Sequence, residues 1–158
     1  MERFKIYNIL HHDHLGQITL TLTEDSNYPQ ILFDQLDEKG IKLKFIAFQQ
    51  EKEESLRLTF CVDNRELEAI QEILSNHPLK EESVHINPDA GLVAIYGPHF
   101  VERPGIIDAM HNALSSQGVK ILGISTTVST SFFIISASQV DQAVTILREA
   151  FEIPQGKV

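Results

Sequence analysis

Residues 118–124 have the sequence GVKILGI, and residues 40–46 have the sequence GIKLKFI, so one pattern occurs twice at a distance of 78 residues. Further along the chain the distance falls to 73, which places Phe60 on Phe133. The residues lost between the two registers lie in the polar stretch 49–55, where a hairpin loop tolerates a change of length. The chain therefore contains an internal repeat, and a fold assignment has to start from it.

Each copy reads as the same order of elements. Alternation of apolar and polar residues predicts strands, and apolar stripes with helical spacing, closed by a glycine, predict helices. In the first copy we predict a strand over residues 18–23, a helix over 27–39, strands over 41–45 and 56–62 around an acidic hairpin, and a helix over 65–76. In the second copy we predict a strand over 92–96, a helix over 106–114, strands over 119–126 and 132–137, and a helix over 140–151.

Two predicted strands, residues 4–10 and 83–87, are left over, and each copy needs one more to complete a βαββαβ unit. The tail after Phe151 is too short and is broken by Pro154 and Gly156. We therefore expect an α+β protein of two ferredoxin-like units, each a four-stranded antiparallel sheet with both helices on one face. Residues 16–88 form the first unit, which is inserted in a second unit made of residues 1–15 and 89–153, and residues 154–158 are a tail.

The composition and the absence of certain motifs argue against several classes of function. The net charge is −9, with no local basic patch, which argues against binding nucleic acid or an anionic membrane surface. Cys61 is the single cysteine, the N-terminus lacks the features of a signal peptide, and no apolar run approaches the roughly 20 residues that span a bilayer. We expect a cytoplasmic, soluble protein. No glycine-rich phosphate loop and no hydrolytic triad is present, so we predict no catalytic site and no cofactor.

The sequence also resembles a known protein family. Residues 94–153 (AIYGPHFVERPGIIDAMHNALSSQGVKILGISTTVSTSFFIISASQVDQAVTILREAFEI) resemble the second ACT unit of aspartate kinase, and the first copy, with the opening stretch 4–22, resembles the first. The resemblance covers nearly the whole chain and implies a tandem ACT regulatory module in which the N-terminal strand completes the second unit. Nothing corresponds to the kinase catalytic domain, so we expect a stand-alone, non-enzymatic regulatory protein.

The resemblance implies an effector site at the loop between the first strand and the first helix. A helix N-terminus attracts an α-carboxylate, a side-chain carboxylate accepts from the α-ammonium, and a glycine permits close approach of the backbone. In the second copy the loop is Glu102, Arg103, Pro104, Gly105 and Ile106. In the first copy the matching residues are Glu24, Asp25, Ser26, Asn27 and Tyr28, without the Pro-Gly pair, which puts a first-copy site in doubt.

The second wall of such a site would come from the strand after the first helix of a neighbouring unit. Lys120 and Ile121, or Lys42 and Leu43, are the counterparts, and Gln49 lies one position away from the family's effector-contacting amide. Because these lysines would repel a cationic effector, threonine or a similar neutral amino acid is favoured over lysine as the ligand. We expect a homodimer through the ACT units.

Three functions remain open from the sequence. The first is an amino-acid sensor that acts through assembly or a partner, and the second is an interaction subunit of an enzyme such as aspartate kinase with no ligand of its own. The third is metal-dependent regulation through residues 11–14, where His11, His12, Asp13 and His14 are adjacent. A metal site needs three or four converging ligands, so we interpret these residues as a solvated turn before Gly16.

Overall fold

The structure, a computed structural model, describes residues 3–80, 83–97 and 104–154. In that part of the chain the principal elements are β1 (Asn8–Thr23), α1 (Tyr28–Glu38), β2 (Phe45–Lys52), β3 (Ser55–Asp63), α2 (Leu67–Asn76), β4 (Val84–Tyr96), α3 (Ile106–Ser115), β5 (Ile121–Thr126), β6 (Thr130–Ser136) and α4 (Val140–Ala150). Short 3-10 turns, Asn64–Glu66 and Ala137–Gln139, precede α2 and α4. The predicted α+β class is confirmed.

The chain divides into two compact units. The inner unit is His14–Asp89, and the outer unit combines Met1–Asp13 with Ala90–Val158. Strands β1 and β4 contribute to both units because each continues across a unit boundary. The strand order is β2-β3-β1-β4 in the inner unit and β1-β4-β6-β5 in the outer unit. Antiparallel pairing joins β1 to β3, β2 to β3, β4 to β6 and β5 to β6.

The inner unit has its own hydrophobic core on one face of its sheet. The alternating residues of β1 and β3 that point to this face meet the apolar stripes of α1 and α2, so both helices lie on the same side. The buried core residues are Ile18, Leu20, Leu22, Tyr28, Leu32, Leu36, Ile41, Leu58, Phe60, Val62, Ile70 and Ile73. Cys61 is also buried but is out of phase with Phe60 and Val62, and burial raises the pKa of its thiol to about 12.

The outer unit is built in the same way around α3 and α4. Residues of β4 and β6 pack against both helices, and Ile6 and Ile9 from the N-terminal segment join the same core. Its buried residues are Ile6, Ile9, Val93, Ile95, Ile106, Met110, Leu114, Val119, Phe133, Ile135, Val140, Ala143, Ile146, Leu147 and Phe151. Each unit therefore buries one apolar cluster between a sheet and a helix pair.

The two registers of the sequence repeat select equivalent cross-strand pairs. Ile46 lies opposite Phe60 in the inner unit, and Ile124 lies opposite Phe133 in the outer unit. Both phenylalanines are fully buried, and both isoleucines are 43% exposed. The offset of 78 relates the two isoleucines, and the offset of 73 relates the two phenylalanines. The residues that the repeat aligns therefore pair in the same way and are buried to the same extent in both units.

Glycines close α1 and α3 as the sequence predicts. Gly40 has φ 66° and Gly118 has φ 81°, the left-handed conformation that glycine adopts without strain. In both turns the residue after the glycine donates its N–H back into the last turn of the helix. The Ile41 N–H bonds the Leu36 carbonyl at 2.9 Å, and the Val119 N–H bonds the Leu114 carbonyl at 3.1 Å.

Two strands are longer than predicted. The sequence predicts separate strands with a turn or loop between them, but β1 runs without interruption from Asn8 to Thr23 and β4 from Val84 to Tyr96. The solvated turn expected at residues 11–14 is therefore wrong, because these residues continue the strand. Asn87, Pro88 and Asp89 likewise lie within β4, although the predicted strand ended at residue 87.

The phase of β2 also differs from the prediction. The sequence groups Ile41, Leu43 and Phe45 on one face of a strand, but β2 begins only at Phe45 and continues to Lys52. Phe45 lies opposite Cys61, on the sheet face away from α1 and α2, whereas Ile46 lies opposite the core residue Phe60. Most of the predicted acidic hairpin is strand, because the connection to β3 is only two residues long.

Candidate functional site

The first turn of α3 is the centre of the candidate site. Pro104 and Gly105 are exposed, and Gly105, with φ 97°, is the residue that precedes the helix. Ala109 donates its N–H to the Gly105 carbonyl at 2.9 Å, which starts the helical hydrogen bonding. Within the described residues no side chain accepts a hydrogen bond from the amides of this turn, where the helix carries a partial positive charge. Glu102 and Arg103, the other two predicted loop residues, lie outside the described residues.

Gly105 is needed for its backbone conformation. Its φ of 97° is one that residues with a side chain rarely adopt. A Cβ atom built at this position would lie 3.4 Å from Cζ of Phe4. Gly105 therefore lies beside Phe4, while Ile106 is buried in the outer core with 3% exposure.

The turn between α3 and β5 carries Lys120, and Ile121 is the first residue of β5. The Lys120 side chain is exposed, and Ile121 packs partly buried against the outer core. Gln139 holds the backbone of this turn on both sides: its Oε1 accepts from the Lys120 N–H at 2.9 Å, and its Nε2 donates to the Gly118 carbonyl at 2.9 Å. The sequence analysis did not single out Gln139, because nothing in its spacing distinguishes it from the other polar residues that precede a helix.

Loss of the two hydrogen bonds that the Gln139 side chain makes should destabilise the protein modestly. Gln139→Ala removes two hydrogen bonds at a partly exposed position where water can replace them, so we expect the free energy of unfolding to fall by about 1–2 kcal/mol. Urea denaturation followed by circular dichroism measures this change. Gln71→Ala is the matched control, since Gln71 is exposed on α2, and its effect should stay within about 0.5 kcal/mol. Equal effects for the two variants would show that the Gln139 hydrogen bonds contribute nothing to the free energy of unfolding.

The first-copy loop is organised differently from its counterpart. Ser26 Oγ accepts from the N–H of Tyr28 at 3.1 Å, so a side chain of the loop bonds one backbone N–H at the start of α1, while Asn27 makes no capping hydrogen bond. Tyr28 is 6% exposed, and its hydroxyl donates to the His77 carbonyl at 2.6 Å. Burial also raises the pKa of Tyr28. Tyr28 is thus a core residue of the inner unit, while Glu24 and Asn27 remain exposed.

The predicted second wall of the inner unit is dispersed. Lys42 is exposed in the segment between Gly40 and β2. Gln49 is exposed in β2 opposite Arg57, and by alternation it lies on the same sheet face as Phe45, away from α1. Gln49 and the residues at the start of α1 therefore do not share a face of the sheet.

The histidine cluster forms no recognisable metal centre. Its four residues are consecutive in β1, so neighbouring side chains point to opposite faces and do not converge. The described part of the chain contains no group of three or more His, Cys, Asp or Glu side chains suited to hold a metal ion. His12 has a buried Nδ1 atom without a hydrogen-bond partner among the described residues.

None of the helices in the described ranges has the length and apolar character that crossing a bilayer requires.

Comparison with known proteins points to one kind of regulatory domain. A family model described as an ACT domain matches residues 85–149, which is most of the second copy. An aspartokinase from Bacillus sp. (strain MGA3) is 26% identical over 124 residues. That alignment covers 77% of this chain and 30% of the relative, so this chain spans about a third of that kinase.

Solved structures extend the likeness to the whole chain. The ligand-free regulatory subunit of aspartate kinase from Thermus thermophilus has a TM-score of 0.79 at 23% identity, covering 93% of this chain and 99% of the other. The aspartate kinase of Synechocystis has a TM-score of 0.84 at 19% identity, covering 97% of this chain and 28% of the other. At these identities the structures show the fold. Together with the ACT domain match, they show that this chain resembles the regulatory region of aspartate kinase.

Proposed function

We propose that this chain is a non-catalytic, cytoplasmic regulatory protein of ACT type, which binds a small amino acid at the start of α3 in the outer unit. The observation that carries the proposal is the first turn of α3, which lies within the ACT match and begins at a left-handed glycine without a side-chain cap among the described residues. Such a turn offers backbone N–H groups and a partial positive charge to an α-carboxylate.

We also propose roles in effector binding for other residues of the loop and of the second wall. Glu102 would accept from the α-ammonium of the effector, and Gly105 would let the backbone approach the ligand. The exposed Lys120 would lie on the second wall and disfavour a cationic side chain. We therefore favour threonine or another small neutral amino acid over lysine. Because Ser26 accepts from one N–H at the start of α1, Tyr28 is buried there, and the first-copy loop lacks the Pro-Gly pair, we propose one effector site per chain.

We further propose that the two compact units are interleaved ACT units. In this arrangement residues 16–88 form the first ACT unit, and residues 1–15 with 89–153 form the second. The division of the chain at His14 and Ala90, and the presence of Ile6 and Ile9 in the outer core, support this assignment. The N-terminal segment would then be part of the unit that holds the effector site.

The exposed edge strand β2 supports self-association. β2 is the outermost strand of the inner unit, and apolar side chains remain accessible along it: Ile46 is 43% exposed and Phe48 is 48% exposed. An antiparallel twofold pairing centred on Ala47 would place Ile46 of one copy opposite Phe48 of the other. We propose a homodimer built on this edge, which would also pair the free backbone groups of the strand.

The charges that flank β2 are compatible with this pairing. The chain is basic just before the strand and acidic, except for Lys52, at its end. In a register centred on Ala47, Lys42 would lie opposite Lys52, with Glu51 and Glu53 on either side. The basic residues are Lys42 and Lys44, and the acidic residues are Glu51, Glu53 and Glu54. Sedimentation equilibrium should give a mass near twice 17.8 kDa, reduced toward the monomer by Phe48→Lys. Val128→Lys, at a position 67% exposed in the outer unit, should leave the mass unchanged, and an unchanged mass for Phe48→Lys would exclude this edge.

The alternative function is an interaction subunit of aspartate kinase with no ligand of its own. It is favoured by the likeness to a structure of aspartokinase alpha and beta subunits, with a TM-score of 0.76 at 19% identity over 92% of this chain and 97% of the other. Under this alternative the chain would bind a kinase chain and respond to no amino acid. A kinase partner is also compatible with the sensor function, so ligand binding is the property that separates the two.

A thermal-shift screen with the twenty amino acids tests the proposed function. We expect one or two small neutral amino acids to raise the melting temperature, because a ligand that binds only the folded state stabilises it. Gly105→Trp should abolish that increase by filling the loop. Asn27→Trp is the matched control, because Asn27 is the exposed residue that precedes α1 at the position equivalent to Gly105. No response to any amino acid, together with capture of a kinase chain, would favour the interaction subunit.

A further inference from the structure

The outer unit contains a cleft beside the C-terminal end of α4, lined by residues that are distant along the sequence from the loop before α3. Its volume is about 490 Å³, within the range of sites for small molecules. Two backbone hydrogen bonds of 2.9 Å fix one wall: the Glu152 N–H bonds the Phe4 carbonyl, and the Ile6 N–H bonds the Glu152 carbonyl. The lining residues are Arg3, Arg148, Phe151, Glu152, Ile153 and Pro154.

The polar lining of the cleft carries a net positive charge. Two arginines, Arg3 and Arg148, line the cleft together with a single carboxylate, Glu152. Arg3 Nη1 donates to the Glu149 carbonyl at 3.0 Å, which directs this side chain toward the end of α4. Arg148 has no ion pair with any residue in the described ranges. The charge of this lining is thus opposite in sign to the net charge of the protein, which is −9.

The rest of the lining is apolar. Phe151 is 1% exposed, and its ring packs beside Phe4 with the ring centroids 6.5 Å apart. Ile153 is partly buried against the outer core, and Pro154 follows it. Phe151 is covered by its neighbours, so the accessible apolar surface beside the two guanidinium groups is that of Ile153 and Pro154. A small molecule with one anionic end and one short apolar end would fit this combination.

We propose that this cleft binds a small monocarboxylate with an apolar tail. The guanidinium groups would hold the carboxylate, since arginine presents several N–H donors in a planar fork that matches it. The tail would cover Ile153 and Pro154. Glu152 would disfavour a second negative charge on the ligand, so dianions such as phosphate are the wrong class. The residues that line this cleft are different from those of the proposed effector loop, so the proposal does not rest on the proposed effector site.

Titration of ¹⁵N-labelled protein with 4-methylpentanoate tests the proposal. We expect the backbone amide signals of Phe151, Glu152 and Ile153 to shift in a saturable way. Arg148→Gln should weaken the affinity at least about tenfold, the loss expected when a charge-assisted hydrogen bond is removed. Arg65→Gln is the matched control, because Arg65 is also exposed but pairs with Asp63 at 3.0 Å, and its affinity should equal that of the unsubstituted protein.

Three results would overturn the proposal. The first is the absence of saturable shifts in this segment, and the second is an unchanged affinity in Arg148→Gln with an intact spectrum. The third is inorganic phosphate binding as tightly as 4-methylpentanoate, which would show that neither the tail nor the single charge is recognised. The amide signals of α3 report separately on the effector loop, so failure at the cleft is distinguishable from failure of the amino-acid site.

Discussion

Phe133→Ala should lower the free energy of unfolding by about 3–5 kcal/mol, the usual cost of emptying a buried phenylalanine site. Phe133 lies on the central strand β6 and is fully buried between the sheet and the helices of the outer unit. Phe60→Ala should have a similar cost, because Phe60 has the equivalent position on β3 in the inner core. Urea denaturation monitored by circular dichroism measures both changes.

Hydrogen exchange shows which core each substitution affects. Because each unit has its own apolar cluster, the loss of amide protection should be greatest in the unit that carries the substitution. Val128→Ala is the control, since Val128 is 67% exposed and its removal should change stability by less than about 0.5 kcal/mol. A cost below 1 kcal/mol for either phenylalanine would contradict the assigned cores.

Gly91→Ala should destabilise the protein by about 2–3 kcal/mol through overpacking. A Cβ atom at Gly91 would meet Cγ2 of Val140 within 2.3 Å, and the backbone Cα of Ala137 lies 3.4 Å away. Valine has a short, stiff side chain, so it cannot turn aside without moving the start of α4. Gly16 has the equivalent relation to Leu67, whose Cδ2 lies 2.3 Å from a built Cβ.

The two glycines form a matched pair with different expected costs. The atoms nearest to Gly16 belong to the outer part of the longer, more flexible Leu67 side chain, which can change rotamer. We therefore expect Gly16→Ala to cost about 1 kcal/mol, less than Gly91→Ala. Urea denaturation of the two variants measures the difference. A larger cost at Gly16 than at Gly91 would contradict this account of how β1 and β4 approach the second helix of each unit.

The repeat made much of the fold predictable. Gly40 and Gly118 mark the ends of two helices because both the periodicity and the left-handed conformation point to the same residues. Phe60 and Phe133 fall on equivalent strands because the two offsets differ only across a hairpin. These features depend on local conformation and short-range periodicity, which a single sequence contains.

The predictions failed where tertiary pairing overrides local signals. The polar residues 11–14 suggested a turn and residue 87 was the predicted end of a strand, but both positions lie within long strands. The phase of β2 was wrong because its apolar residues lie on both faces, so alternation could not identify the face toward the helices. Pairing between distant segments, which decides both questions, leaves no mark on local periodicity.

The candidate site was only partly accessible to sequence reasoning. Pro104 and Gly105 were identifiable because a proline and a glycine next to a helix start are local signals. The burial of Tyr28 was not, because its hydroxyl bonds the carbonyl of His77, 49 residues along the chain. The same holds for Gln139, whose side chain bonds residues 19 and 21 positions away.

Isothermal titration with threonine, or with the neutral amino acid that gives the largest thermal shift, tests the central claim most directly. The account predicts one site per chain, lost in Gly105→Trp and retained in Asn27→Trp, with ligand-induced shifts in the backbone amide signals of residues 105–109. Two sites per chain, or shifts at the start of α1 with none at the start of α3, would contradict it. Absence of binding by all twenty amino acids would contradict the sensor function itself.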